Sequence, residues 1–230
     1  MVDSLKMTCQ NMNDQQVIEL LEKEFREKTL ALTEQYLEIH SPIYSDNKIK
    51  VDRIDRERKC DNQDELIVAY LPVLDEKFYF AVYIDPKKKE IIGFDTEAYH
   101  RVYFRATSET LSIDELKSMT SLTPTEFWNK GDPEQYVKAY TFSAFHILPN
   151  PEPDEFDDKL KKLLSFLEQD KNGIRRLVDN ANDYIQVAMD IHDGNGMIGG
   201  VHLGKDEIRR MNDMGLEIDF DLYVRGNRFK

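Results

Sequence analysis

The chain has very few of the residues that build covalent or metal frameworks. Among 230 residues there are two cysteines, Cys9 and Cys60. Two thiols cannot form a disulfide framework, and no C-x-x-C pair is present to hold zinc. The five histidines, His40, His100, His146, His192 and His202, never fall at i and i+4, so the H-E-x-x-H zinc helix is absent. Long apolar runs are missing as well. No uncharged stretch approaches the 18 residues that a membrane-spanning helix needs. The opening MVDSLKMTCQNMNDQQ has no apolar core, which predicts no secretory signal and a reduced, cytoplasmic protein. Positive charge is also scarce: 31 Lys and Arg face 44 Asp and Glu, for a net charge of −13. Acidic residues outnumber basic ones both before and after Arg105. Nucleic acid and anionic membranes are therefore disfavoured as partners, because affinity for phosphates comes from Lys and Arg. An acidic surface suits a basic protein partner, although solubility alone also accounts for it.

What is present is enough apolar bulk for a folded core, with 12 Phe, 11 Tyr and one Trp. Residues 13–39 read as one long helix. Val17, Leu21, Phe25, Leu32, Tyr36 and Ile39 recur at helical spacing, Asn13 and Gln16 can form a capping box, and Pro42 ends the segment. Strand-like runs follow at 48–54, 65–73, 78–84, 91–94 and 99–106. From there the pattern alternates. Ser112 and Glu115 open a short helix to about residue 121, 122–133 is a loop, and 136–148 is a strand. Pro149 to Pro153 is an extended break. Phe156, Leu160, Leu163 and Leu167 mark a helix stopping at Asn172-Gly173, with a further helical piece at 174–180. A strand at 184–191, a glycine-rich loop, a helix at 205–214 stopped by Gly215, and a final strand at 216–225 complete the chain. The expected fold class is α+β. Residues 1–96 form a long helix plus antiparallel meander, and 97–230 an alternating β-α-β-α-β-α-β module.

Most motifs with a chemical look fail on context. Asp193 to Ile198 resembles part of a calcium loop, yet the first and twelfth loop positions are Ile191 and His202. Gly194, Gly196 and Gly199 spell G-x-G-x-x-G, but the next helix starts only near Lys205, too late for its N-terminus to meet a pyrophosphate. The glycine-rich loop 193–204, flanked by His192 and His202, remains the basis for an alternative reading as a small-ligand sensor or an enzyme. Asp219 and Asp221 share one strand face and are the best carboxylate pair, for which an exposed sheet face is explanation enough. No catalytic residue, metal ligand set or cofactor site is expected. One segment stands apart: 122–133 carries Trp128 beside Lys130, Gly131 and Asp132, between Pro124 and Pro133. Trp128, Lys130 and Asp132 are the candidate binding residues, because an aromatic on a constrained loop is a common recognition element. Trp128 acting as an anchor of the loop to the core is the competing reading.

The second half of the chain resembles a bacterial family, the domain of unknown function numbered 4279. The resemblance rests on Leu111, Leu116, Leu122, Pro124, Thr125, Trp128, Lys130, Gly131 and Asp132, then on Ile208, Gly215, Asp219, Asp221, Leu222 and Tyr223. It covers roughly residues 99–223. Gly204 stands where a helix-capping Ser is more usual, and Gly is an acceptable cap. The resemblance implies no established activity. Relatives placed beside secreted toxins imply, by association, an immunity role. The reading that results is a cytoplasmic protein-binding module, acting as an immunity protein that occludes a basic toxin.

Overall fold

The computed structural model describes residues 12–59, 65–134, 138–192 and 200–226. It is an α+β fold in two compact units. Among the described residues the first unit comprises 12–99, 191–192 and 224–226, and the second 100–190 and 200–223.

In the first unit the helical expectation for 13–39 is corrected. Helix α1 (Asp14–Glu27) begins with the expected capping box, in which the Asn13 side chain accepts from Gln16 N–H at 2.9 Å and the Gln16 side chain accepts from Asn13 N–H at 3.0 Å. It ends at Lys28, which adopts a left-handed conformation with φ +51°. Helix α2 (Ala31–Leu37) then starts afresh. The break is held by Glu24, only 4% exposed, whose carboxylate accepts from Leu30 N–H at 3.0 Å and from the Thr29 hydroxyl. Burial pushes the Glu24 carboxyl upward, but these donors outweigh it and hold the group below its usual value. The physical reason for two helices is length. A straight 27-residue helix would run roughly 40 Å, whereas strands of eight residues reach roughly 27 Å. Folding back lets Phe25 of α1 and Tyr36 of α2 pack on the same aromatics, Phe80 and Phe94.

After a small hairpin of β1 (Tyr44–Ser45) and β2 (Lys48–Ile49), the sheet is an antiparallel meander of β3 (Arg53–Lys59), β4 (Glu65–Pro72), β5 (Phe78–Asp85) and the first part of β6 (Glu90–Ser108). Ile67, Ala69, Leu71, Phe80, Val82, Ile84 and Phe94 join Val17, Leu21 and Phe25 in one core. Full burial of each large apolar side chain contributes about 1.5–3 kcal/mol. The opposite face of β4 is also buried at Val68 and Tyr70. That is why 65–73 reads as a continuous apolar run instead of an alternating one.

The second unit is built on the rest of β6. Its neighbours are β8 (Ser143–Ile147) on one side and β9 (Asn182–His192) on the other. Beyond them lie β7 (Glu126–Trp128) against β8 and β10 (Ile218–Arg225) against β9. Val102, Phe104 and Ala106 of β6, Phe145 and Ile147 of β8, and Ile185, Val187 and Met189 of β9 are buried. So are the apolar stripes of α4 (Phe156–Leu167), α5 (Lys171–Asn180) and α6 (Lys205–Met214). The Ser112–Glu115 capping box opens α3 (Ile113–Ser118), and Gly215 ends α6 at φ +78°. The segment from 149 to 153 is tied down by a buried lysine: Lys159, 2% exposed, donates from Nζ to the carbonyls of Asn150 at 3.3 Å and Glu152 at 2.5 Å.

Two local expectations differ from what is found. The 122–133 loop contains strand β7; of the strand expected at 136–148, residues 136–137 lie outside the described residues, and within 138–148 the strand is Ser143–Ile147. The chain is closed earlier by Gly131 N–H to Tyr140 C=O at 2.8 Å and Tyr140 N–H to Asp132 C=O at 3.0 Å. Gly173 does not stop α4. A short 3-10 turn (Glu168–Asp170) leads into α5, and Gly173 lies in its first turn. Asp170 accepts from Gly173 N–H at 2.9 Å, Ser121 N–H at 2.7 Å and the Thr120 hydroxyl at 2.9 Å, and those donors hold its carboxyl down at about 2. A Cβ on Gly173 would collide with the Asp170 carboxylate and the Thr120 hydroxyl. Gly173→Ala is therefore expected to destabilise the fold by more than about 1 kcal/mol, although alanine has the better helix propensity. Urea unfolding of the two proteins checks this, and an unchanged or raised midpoint would contradict it.

Candidate functional site

The site is set by register. In the second unit Arg105 of β6 pairs with His146 of β8, which pairs with Glu126 of β7. The next row is Thr107, Ala144 and Trp128. Side chains alternate along a strand. Arg101, Tyr103, Arg105, His146, Glu126 and Trp128 therefore share the face opposite Phe104, Phe145 and Ile147.

On that face Trp128 stacks on Tyr140, with ring centroids 4.6 Å apart and planes at 23°, and meets the His146 ring edge-on at 4.9 Å. Tyr103 flanks His146 at 5.1 Å. The Arg101 guanidinium lies 5.2 Å above Tyr103 and 3.7 Å from the Glu126 carboxylate. Arg105 lies over Tyr184 of β9 and donates to its hydroxyl at 2.6 Å. Trp128 Nε1, Arg105 Nε and both His146 ring nitrogens are buried without a hydrogen-bond partner among the described residues. Glu126 approaches His146 Nδ1 at 3.7 Å, too far for a hydrogen bond. Burial, reinforced by Arg105 and opposed by Glu126, pushes the His146 imidazole down to about 4. The ring is therefore neutral at pH 7.

The three sequence candidates lie in one hairpin. Trp128 is half-buried on β7, in an aromatic cluster and not on a free loop. Lys130 is exposed, with Nζ donating to Glu109 C=O at 2.9 Å and its N–H to Ser143 Oγ at 3.1 Å. The Asp132 carboxylate accepts from Asn129 N–H at 2.7 Å across the turn that Gly131 makes at φ +94°. His146 and Arg105, which complete the cluster with Trp128, gave no sequence signal beyond the strand alternation around them.

The histidine expected near the glycine-rich loop finds a different partner. In the first unit His192 Nε2 lies 2.9 Å from His40 Nε2, and His40 Nδ1 lies 3.5 Å from Glu76. Phe78 packs on both rings. Burial and the neighbouring His192 lower the His40 pKa against the pull of Glu76. His202 is exposed. Residues 193–199, including all three glycines of the G-x-G-x-x-G pattern, and both cysteines lie outside the described residues. Among the described residues no group of three His, Cys, Asp or Glu side chains is arranged to hold a metal ion.

Acidic groups gather around the start of β10. Asp183 of β9 has its carboxyl raised to about 6 by burial, with the like charges of Glu217 and Asp179 adding to the shift. Asp219 and Asp221 follow on β10, while Phe220 between them faces Phe156 of α4 at 5.9 Å.

Two outcomes follow for the Trp128–His146 cluster. The folded-state pKa of His146 lies below its unfolded value of about 6.5, so the unfolded chain binds this proton first. The stability it contributes is complete above pH 6.5 and is lost as pH falls toward 4, by up to about 3 kcal/mol. Urea unfolding at pH 7.0, 5.5 and 4.5 should show His146→Leu losing less stability over that interval than the parent; equal losses would contradict it. Trp128→Ala removes the ring packed against Tyr140 and His146 and should cost about 2–4 kcal/mol. The wild-type indole should be only weakly quenched by acrylamide. A freely quenched indole and an unchanged melting midpoint would return Trp128 to the surface.

No curated protein and no solved structure matches the chain. A family model described as a domain of unknown function, DUF4279, matches residues 97–225. That span is more than half of the 230 residues and takes in every strand and helix of the second unit just described. The chain belongs to the DUF4279 family.

Proposed function

We propose that the chain is a cytoplasmic protein-binding module for a basic protein partner, acting as an immunity protein that occludes a toxin. The observation that carries this reading is the surface at β10. On one face of that strand Asp219, Asp221 and Tyr223 follow one another at alternate positions, all exposed, Tyr223 at 43%. Glu217 and Asp183 add carboxyl groups at the start of the strand. A row of carboxylates ending in an exposed aromatic ring suits a partner that brings Lys and Arg beside apolar contact area. Charge of this sign also speeds the encounter and rejects acidic proteins. The net charge of −13 extends the same preference over the whole surface. No cofactor enters this reading.

The test is affinity isolation from the native cell, followed by binding measurements on the purified pair. The expected partner is basic, binds at one to one, and weakens at least tenfold between 50 and 500 mM salt, estimates in keeping with screened charge attraction. The paired change Asp219→Lys with Asp221→Lys should weaken it by a similar factor. A partner with an acidic surface, or one indifferent to both salt and the paired change, would overturn the reading.

A further inference from the structure

We infer that β10 is a docking strand: a basic, extended segment of the partner adds to its outward edge by backbone hydrogen bonds. This inference rests on the reading above and names its mode of binding. β10 is the last strand of its sheet, with β9 as its one strand neighbour among the described residues. The direction of its backbone groups follows from two contacts. Ile185 N–H of β9 donates to Glu217 C=O at 2.8 Å, and the Gln186 side chain donates to Asp219 C=O at 3.4 Å. Odd-numbered residues thus turn their backbone groups to β9, and by alternation residues 218, 220, 222 and 224 turn theirs outward. Phe220 N–H, on the outward side, is met at 3.0 Å by the carboxylate of Asp219 next to it, a substitute for a strand partner.

Chains normally protect such an edge by charge, bulges or a covering element. The edge strand β3 of the first unit shows that protection. Its sequence is RIDRERK, and its pairing is interrupted by a bulge between Asp55 and Arg58. β10 reads IDFDLYVR, has no proline, and is exposed from Asp221 to Arg225. Strand addition to an edge of this kind gives affinity through the main chain and specificity through alternate side chains. Asp219 and Asp221 lie two residues apart on one face, so Lys or Arg at alternate positions of the incoming strand would align with them. The same carboxylates argue against a second copy of this chain as the occupant, since two β10 strands side by side would oppose Asp219 and Asp221 with their equivalents.

The probe is a synthetic peptide of eight residues alternating Lys with Val or Thr, measured by calorimetry against the intact chain at low salt. The expected result is binding that falls at least tenfold when alternate amides on one peptide edge are N-methylated, and little when those on the other edge are. Leu222→Pro deletes one outward N–H without touching the pairing to β9 and should lower binding by a similar factor with an unchanged circular dichroism spectrum. If that variant misfolds, the peptide methylation series still decides. Binding that is equal with either edge methylated would overturn strand addition while leaving the basic-partner reading in place. No preference for the Lys peptide over its Glu counterpart would remove both. A chain that sediments as a dimer and becomes monomeric on Leu222→Lys would make a second copy the occupant and overturn the inference.

Discussion

The alternation of β6 between residues 100 and 108 is the constraint on which the second unit depends. Val102, Phe104 and Ala106 are buried, while Arg101, Tyr103 and Arg105 lie on the other face. A slip of one residue would drive two guanidinium groups into the apolar core, at a cost that no compensating contact in the fold offsets. With β6 fixed, β8 has one register that buries Phe145 and Ile147, and this puts His146 opposite Arg105. β7 then has its own register, with Glu126 beside His146 and Trp128 beside Ala144. The polar and aromatic cluster is a consequence of core packing on the opposite face.

His146 is held neutral by burial beside two arginines, and its rings and neighbours are in mutual contact. Its position reads as a stiffening element between β6, β7 and β8. Exposed apolar side chains of this unit include Phe127 of β7, Ile208 of α6, and Leu222 and Tyr223 of β10, where the sheet ends.

Much of the secondary structure was legible in the residues. Two capping boxes, at Asn13–Gln16 and Ser112–Glu115, mark helix starts through local hydrogen bonds that need nothing from the rest of the chain. Gly215 marks a helix end for a similar local reason. The features that escaped are those set by distant partners. Lys28 is neither Gly nor Pro, so its residue type does not announce a left-handed conformation; the break there accompanies the packing of Phe25 and Tyr36 on Phe80 and Phe94, far along the chain. Gly173 has the look of a helix stop and is instead a point of close approach to Asp170 and Thr120, about fifty residues from the latter. His192 and His202 flank the glycine-rich loop in sequence, whereas the neighbour of His192 is His40, 152 residues away. Of the candidate site, Trp128 stood out by rarity, and the alternation of 99–106 was visible. The partners His146, Arg105 and Tyr140 depend on register, which periodicity alone does not supply.

Lys159 carries a consequence of its own. Its ammonium is sealed under the 150–153 segment, where it satisfies the carbonyls of Asn150 and Glu152. Amine-directed acylation of the native protein proceeds at accessible lysines such as Lys130 and Lys205, while this one is shielded by the same packing that orders the segment above it. Its chemical reactivity is thus a clock for opening of the second unit: the rate at which this single nitrogen becomes modified measures how often α4 parts from the chain that covers it.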